Sequence, residues 1–401
     1  MPTFRFTTAG ESHGPALVAI VEGLPAGLPI SADEIDRELR RRQGGYGRGG
    51  RMRIESDRAD ILSGIRHGET LGSPVTLLVR NRDWANWTDA MSPVPVEGQG
   101  DDQAMRRVFF PRPGHADLVG ALKYDRTDAR DVLERASARE TAMRVAAGAL
   151  AKQLLGELGI SIGSHVVSIG GIVARAPDPL PDPLNAASDP SPVRCLDVEA
   201  EGRMIDAIDA ARRDGDTLGG VVEVVARGVP AGLGSHVSWD RKLDGRLAGA
   251  LMSIQAIKAV EVGLGLEAAL RPGSRVHDAI TRDPSAERGG GFGRVGNHAG
   301  GLEGGITTGQ PLVVRAAMKP ISTLMTPLGT VDLRTGEAAE AVRERSDVCA
   351  VPAAGVVAEA MVAIVLAGAV LEKFGGDSLR ELRRSFGAWC EQVRARGAFP
   401  G

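Results

Sequence analysis

The stretch AVPAAGVVAEAMVAIVLAGAVL, Ala350 to Leu371, constrains the fold of this chain more than any other. As a helix it is long enough to cross a bilayer, which takes about 20 apolar residues. It carries Glu359 near its middle and is rich in Ala and Gly rather than Leu and Ile. A lone carboxylate at the centre of a membrane is costly. A helix that is apolar on every side can equally be the buried centre of a globular fold. We expect that outcome, with no membrane as partner and the rest of the chain folded over the helix.

Length and charge narrow the classes. A chain of 401 residues can bury a large core, and on length alone it could form two or three domains. The formal net charge is −3 and the pI near 6.2. A nucleic-acid partner is not expected, since such binders carry excess positive charge. Aromatic residues make up only 3%, too few for stacking platforms along a single strand. Cys195, Cys349 and Cys390 lie far apart, giving neither a metal-ligand pair nor a disulfide framework, and a reducing cytoplasmic location is expected. The N-terminal MPTFRFTTAG lacks the charged-then-apolar layout of a signal peptide.

The chain is clearly punctuated. FRFTTA and ALVAIVEG suit strands, and SADEIDRELRRR suits an amphipathic helix whose Ser31 and Glu34 have capping-box spacing. Residues 89–104, 174–192 and 282–297 read as loops, the second proline-rich and peripheral, the third mobile. EGLPAGL, Glu22 to Leu28, is nearly repeated as RGVPAGL, Arg227 to Leu233. Each copy follows a β-rich run and precedes a helical pattern, which suggests a duplicated α/β core.

Several segments carry chemistry. GESHG, Gly10 to Gly14, has the spacing of a hydrolase nucleophile elbow. It lacks the required setting, because strand-like ALVAIVEG follows it and no oxyanion segment precedes it. A nucleophilic Ser12 is therefore not expected; taken alone, the segment reads as a Gly-bounded turn with a buried polar pair, and His13 gains weight only with the segments that follow. RPGHAD turns at Pro113 and Gly114 and presents Arg112 with His115, a pairing suited to proton transfer near an anion. In RASARETAMRVAAGALAKQLL, Ser137 and Glu140 again have capping-box spacing. Ala142, Val145, Ala146, Ala149, Leu150 and Leu154 form an apolar face. The positive end of that helix, flanked by Arg135 and Arg139, would make an anion site. RRRQGGYGRGGRMR, residues 40–53, follows a helix rather than a strand, so it reads as a Gly-rich arm carrying Arg42 and Arg48, not a dinucleotide fingerprint. Gly300, Gly301, Gly304, Gly305 and Gly309 would let backbone approach a planar or phosphorylated ligand. Lys319 follows, and Arg345, Ser346 and Asp347 stand just before the long apolar stretch, where Asp347 is either a cap or a proton acceptor.

Taken in order, GESHG, RPGHAD, RASARETAMRVAAG, NHAGGLEGG, KPIST and RSDVCAVPA resemble the chorismate synthase family, in its bacterial, monofunctional form. The resemblance runs from about Thr7 to Phe374. It implies an α+β fold: a single domain over residues 1–401, a β-α-β sandwich with central helices between two antiparallel sheets and an internal pseudo-twofold duplication. It implies a carbon–oxygen lyase that converts 5-enolpyruvylshikimate 3-phosphate (EPSP) to chorismate and phosphate by 1,4-anti elimination. The cofactor implied is reduced FMN from an external source, and the assembly a homotetramer. By the same resemblance His13 serves the departing phosphate, His115 the N1–O2 edge of the flavin, and Asp347 acid–base chemistry near flavin N5. Ser12, Arg42, Arg48, Arg112 and Arg139 would hold substrate, Arg42 and Arg48 being alternatively NADPH contacts. Arg135, Ala136, Ser137, Gln255, Ala256, Gly304, Lys319, Pro320, Ile321, Ser322, Thr323 and Arg345 would hold the flavin. Ala136 stands where many relatives have Ser. No metal is implied. The arm 40–53 and the loop 282–297 would be lids, and His67, His165, His236, His277 and His298 structural or surface residues.

Overall fold

Strands form where apolar side chains alternate. In ALVAIVE, Leu17, Ala19 and Val21 are buried while their neighbours face outward. The structure is a computed structural model that describes residues 4–49, 56–97, 100–344 and 346–397. Its first sheet contains β1 (Arg5–Ala9), β2 (Ala16–Glu22) and β3 (Asp60–Ser63). A small hairpin of β4 (Ile65–Arg66) and β5 (Glu69–Thr70) leads to its last strand, β6 (Val75–Arg80). The order is β1-β2-β6-β3, all antiparallel. The second sheet uses β7 (Ser161–Ile169), β8 (Ile172–Val173), β9 (Gly220–Arg227) and β10 (Ile257–Val262). Two hairpins follow, β11 (Ile280–Arg282) with β12 (Phe292–Arg294), then β13 (Leu302–Glu303) with β14 (Ile306–Thr307). β15 (Leu312–Met318) closes the antiparallel order β10-β15-β9-β7-β8, and β16 (Gly329–Val331) pairs with β17 (Ala338–Glu340) outside it.

The helices are α1 (Ala32–Gln43), α2 (Asp117–Tyr124), α3 (Arg130–Ala136), α4 (Thr141–Gly156), α5 (Leu184–Ser188), α6 (Val198–Asp214), α7 (Leu243–Met252), α8 (Val351–Phe374) and α9 (Leu379–Gly397). α4 packs on the first sheet, α8 on the second, and the two against each other. This is the expected α+β sandwich with central helices. An ideal Cβ on Gly148 would lie 2.4 Å from the Ala360 Cβ, so a glycine is needed where the two helices meet. The 350–371 stretch is α8, and 94% of its most apolar window is buried. Burial also explains why α4 shows no single apolar face: Met143, Ala147, Gly148, Ala151 and Leu155 are buried along with the six residues expected.

Glu359 is fully buried in α8. Its Oε1 accepts from Arg41 Nη2 (2.9 Å), Ser164 Oγ (2.6 Å) and Arg194 Nη2 (3.0 Å). Its Oε2 accepts from Arg41 Nη1 (3.0 Å), Lys152 Nζ (2.5 Å) and Asn185 Nδ2 (3.0 Å). Two of the expected loops differ from their reading. Asn185, Leu184 and Ser188 tie the proline-rich segment into the core, so that half of it is not peripheral. Residues 282–297 hold the turn and second strand of the β11–β12 hairpin, where a loop without strands was expected, and Gly290 packs on Val393 of α9.

The duplication extends well beyond the PAGL turns. β1, β2, α1, β3, the β4–β5 hairpin, β6 and α4 recur in the same order as β7, β9, α7, β10, the β13–β14 hairpin, β15 and α8. Read from β7, the second sheet repeats the order of the first. Each turn is clamped alike. Thr70 Oγ1 accepts from Leu28 N (2.9 Å) and donates to Pro25 O (2.6 Å). Thr307 Oγ1 accepts from Leu233 N (2.8 Å) and donates to Pro230 O (2.6 Å).

Candidate active site

A cavity of about 420 Å³ opens at the N-terminal ends of both central helices. Ala350, Ala353 and Ala354 bring the first turn of α8 to it, and Thr141 brings that of α4. Neither helix start has a side-chain cap, so backbone N–H groups and both positive dipole ends favour an anion there. The expected capping box at Ser137 is incomplete. Ser137 Oγ accepts from Arg139 N, and Glu140 turns instead to Thr8 and Arg144, which leaves α4 to begin at Thr141.

The β1–β2 turn delivers Ser12 and His13. Gly10 makes it possible, with φ +104° and a position where a Cβ would sit 2.3 Å from Ala16 O. Asn81 Nδ2 holds the turn through Gly14 O (2.7 Å). His13 Nδ1 lies 2.9 Å from both carboxylate oxygens of Glu134, and its ring stacks on Trp87 at 3.8 Å between centroids. The RPGH turn delivers the second imidazole: His115 Nδ1 meets Asp117 Oδ1 at 2.5 Å. Arg112 Nε donates to Asp117 Oδ2 (2.8 Å), and Arg112 Nη1 to Thr323 Oγ1 (2.9 Å). Burial pushes the Asp117 carboxyl up, but the His115 and Arg112 hydrogen bonds and charge more than reverse this and hold it well below the usual range. Lys319 Nζ donates to Gly114 O.

Arg139 Nη1 is paired with Asp57 Oδ2 (2.6 Å), and Arg48 Nη1 with Asp347 Oδ2 (2.7 Å). Gly49 N donates to Asp347 Oδ1 (2.6 Å). Arg42 donates from Nε to Thr141 Oγ1 and from Nη2 to Ala138 O, both at 2.9 Å. Its Nη1 is buried with no hydrogen-bond partner among the described residues, 3.7 Å from Asp57. Burial, then the neighbouring Arg139 charge, push Arg42 down to about 9. Its charged form is thus under-compensated by the protein. Among the described residues the lining carries Arg42, Arg48, Arg112, Arg139 and Lys319 against Glu344 and Asp347. The other part of the lining is apolar, with Leu133, Ile254, Met318 and Ile321. Gln255 Oε1 is buried there with no hydrogen-bond partner among the described residues, and Ala256 holds a left-handed φ of +66°.

The family model described as "Chorismate synthase" matches residues 4–371. The chain is 61% identical over 394 residues to the chorismate synthase of Symbiobacterium thermophilum, covering 98% of this chain and all of that one. It is 62% identical over 385 residues to that of Trichlorobacter lovleyi, covering 95% and 97%. A solved structure titled "Crystal Structure of Chorismate Synthase" superposes with a TM-score of 0.78 at 46% identity, covering 98% of this chain and 99% of that one. The chain belongs to the chorismate synthase family. As a member of the chorismate synthase family it is a carbon–oxygen lyase that eliminates phosphate from EPSP to give chorismate, the last common step toward aromatic amino acids.

Of the residues singled out from the sequence, Ser12, His13, Arg42, Arg48, Arg112, His115, Ala136, Ser137, Arg139, Gln255, Ala256, Lys319–Thr323 and Asp347 line this one cavity. Arg135 and Gly304 do not. The Arg135 guanidinium turns back to Thr8 and Gly10, and Gly304 sits in the β13–β14 turn. Arg345 lies outside the described residues, as do 50–53 of the Gly-rich arm. The 282–297 segment lends no residue to the lining. Sequence reasoning missed Glu134, Asp117, Asp57, Asn81 and Trp87. Asp117 was legible two residues after His115, and Glu134 adjoined Arg135. Nothing in the sequence marks the other three as neighbours of the site.

Proposed function

We propose that this cavity is where EPSP meets reduced FMN and where His13, His115 and Asp347 act. The observation that carries the reading is the convergence of cations, two imidazoles and two paired carboxylates between two helix N-termini, beside an apolar wall. A substrate with a phosphate and two carboxylates suits the cationic part, where Arg42, Arg48, Arg112 and Arg139 hold its anions and Ser12 contacts it. The under-compensated charge of Arg42 and the two helix starts suit a bound anion, and we read it as substrate rather than NADPH because the Gly-rich arm is not a dinucleotide fingerprint. The apolar wall and the unpartnered Gln255 acceptor fit a flavin, whose N–H that acceptor could take. The flavin would be held by Ala136 and Ser137, by Gln255 and Ala256, and by the strip from Lys319 to Thr323. Arg135, Gly304 and Arg345 complete the set implied by the family, without support from the lining. Reduced FMN, when bound, supplies electron density that assists loss of phosphate.

His13 donates a proton to the departing phosphate oxygen. Asp347, fixed by Arg48 and Gly49, handles the proton released as hydrogen leaves C6. His115, fixed by Asp117, would stabilise negative charge on a reduced flavin held in the cavity. The wider reading is a cytoplasmic homotetramer fed with reduced flavin from outside. The free thiols support the location, and the partly exposed Ile20 beside Val18 and Leu78 on the outer first sheet supports association. An anaerobic assay with EPSP and chemically reduced FMN, following phosphate release, tests the site. His13→Ala and His115→Ala should each lower turnover roughly 10²–10⁴-fold. Near-normal turnover in both would defeat the assignment.

A further inference from the structure

We infer that Glu134, in the last turn of α3, is a positioning residue that fixes the tautomer and orientation of the His13 ring. The inference rests on the role given to His13 above. His13 Nδ1 lies 2.9 Å from both Glu134 oxygens, and His13 N also donates to Oε2 at 2.9 Å. A carboxylate only accepts, so Nδ1 carries hydrogen in either charge state of the ring. Proton exchange with a ligand in the cavity then takes place at Nε2. The Glu134 side chain is 1% exposed and that of His13 16%, so their attraction is only weakly screened.

The surroundings hold the pair in register. Ser12 N donates to Glu134 O (3.0 Å), so one residue anchors the turn through backbone and side chain together. Trp87 stacks on the far face of the imidazole with an interplanar angle of 19°. Arg106 lies 4.0 Å from the indole centroid and Arg130 5.2 Å. Arg130 Nη1 donates to Glu134 Oε1 and Nη2 to Glu344 Oε1, both at 2.9 Å, so its charge is shared between two carboxylates. Glu134 is therefore not neutralised by Arg130 alone and keeps negative charge for the imidazole. Burial pushes the Glu134 carboxyl up, and the bonds and charges of His13 and Arg130 more than reverse this. Among the described residues the charged groups next to the pair are Arg106 and Arg130 over Trp87, Glu344 beyond Arg130, and Glu11 in the same turn as His13.

The test reads the two His13 ring nitrogens by nitrogen-15 NMR in the full chain without ligands, at an alkaline pH where the ring is neutral, the signals being assigned by their loss in H13Q. Glu134→Gln keeps the shape and removes the charge. A Gln amide can donate as well as accept, so in E134Q the neutral His13 ring should no longer be held in its Nδ1–H form and its two nitrogen shifts should move toward each other, while Glu134→Asp should keep them apart. Anaerobic turnover of E134Q should fall roughly 10–100-fold with KM for EPSP changed less than about threefold. Unmoved nitrogen shifts in E134Q would overturn the role of Glu134 even if turnover fell, since a merely structural residue moves turnover alone. Normal turnover in H13Q would instead overturn the reading of His13 on which the inference rests.

Discussion

At the scale of single residues, the site is built from charges whose partners differ in quality. Arg112, Arg139 and Arg48 each have a carboxylate within 2.8 Å, whereas Arg42 shares Asp57 at 3.7 Å. A guanidinium held that way stabilises a bound anion more than it stabilises the empty protein. EPSP at a hundred times its dissociation constant should stabilise the fold by about 2.7 kcal/mol. In Arg42→Met the ligand-free protein should stay within about 1 kcal/mol of the parent, because an uncompensated charge is removed with its two hydrogen bonds. The EPSP-dependent rise in melting temperature should shrink by half or more. A full rise in R42M would show that Arg42 does not face the anion. Ala256 belongs to the same scale: its left-handed backbone is strained for a residue with a Cβ, and such strain concentrates where ligands are held.

At the scale of elements, α8 combines a helix apolar enough to span a membrane with one carboxylate that could not remain there unpaired. Glu359 resolves the conflict by joining α8 to α1 through Arg41, to α4 through Lys152, and to the β7 region through Ser164, Asn185 and Arg194. Burial pushes its carboxyl up, but Lys152, Arg41 and Arg194 hold it well below the ordinary 4.5. A depressed carboxylate contributes stability that is present above its unfolded value and is lost as pH falls toward its folded one. Glu359→Gln takes the shared carboxylate from Arg41, Lys152 and Arg194, which keep only Glu38 and Asp189 as partners, and should cost about 3 kcal/mol at neutral pH. The gap between parent and variant should narrow below about pH 4.5. Urea unfolding at pH 7 and pH 4 measures both quantities, and a cost under about 1 kcal/mol at pH 7 would contradict this account. Arg41 and Arg42 are consecutive on α1 and point different ways, so the cluster that anchors the helix also sets Arg42 against the cavity.

At the scale of the whole molecule, two similar units place their central helices side by side with both N-termini at one cavity. The Thr clamps provide an internal control. Thr70 and Thr307 are both buried, and each satisfies one backbone N–H and one carbonyl of its turn. Thr→Val at either position leaves that pair unsatisfied, at about 1–3 kcal/mol. The two costs should agree within about 0.5 kcal/mol and add in the double variant, since the sites share no partners. Calorimetric melting of the three variants checks this, and strongly unequal costs would mean that the halves are not energetically alike.

Local chemistry was legible from residue order. The alternation of β2, the turn at Gly114 and the long apolar stretch depend on neighbours a few positions away and took their expected form, and Ser31 caps α1 through Glu34 N although the Glu34 carboxylate turns to Arg37 instead of closing the box. The PAGL repeat revealed the duplication because a turn clamped by one hydroxyl tolerates few sequences. Other features depended on contacts distant in the chain. Residues 134 and 13 are 121 positions apart, and 139 and 57 are 82 apart, so their pairing has no local signature. Whether Arg135 reaches a ligand or a neighbouring carbonyl, and whether a proline-rich stretch lies on the surface or donates to a buried carboxylate, was decided by which groups the packing left unsatisfied. Side-chain type and spacing set the chemistry available to this chain, and tertiary structure chose its partners, because burial makes every polar group find one.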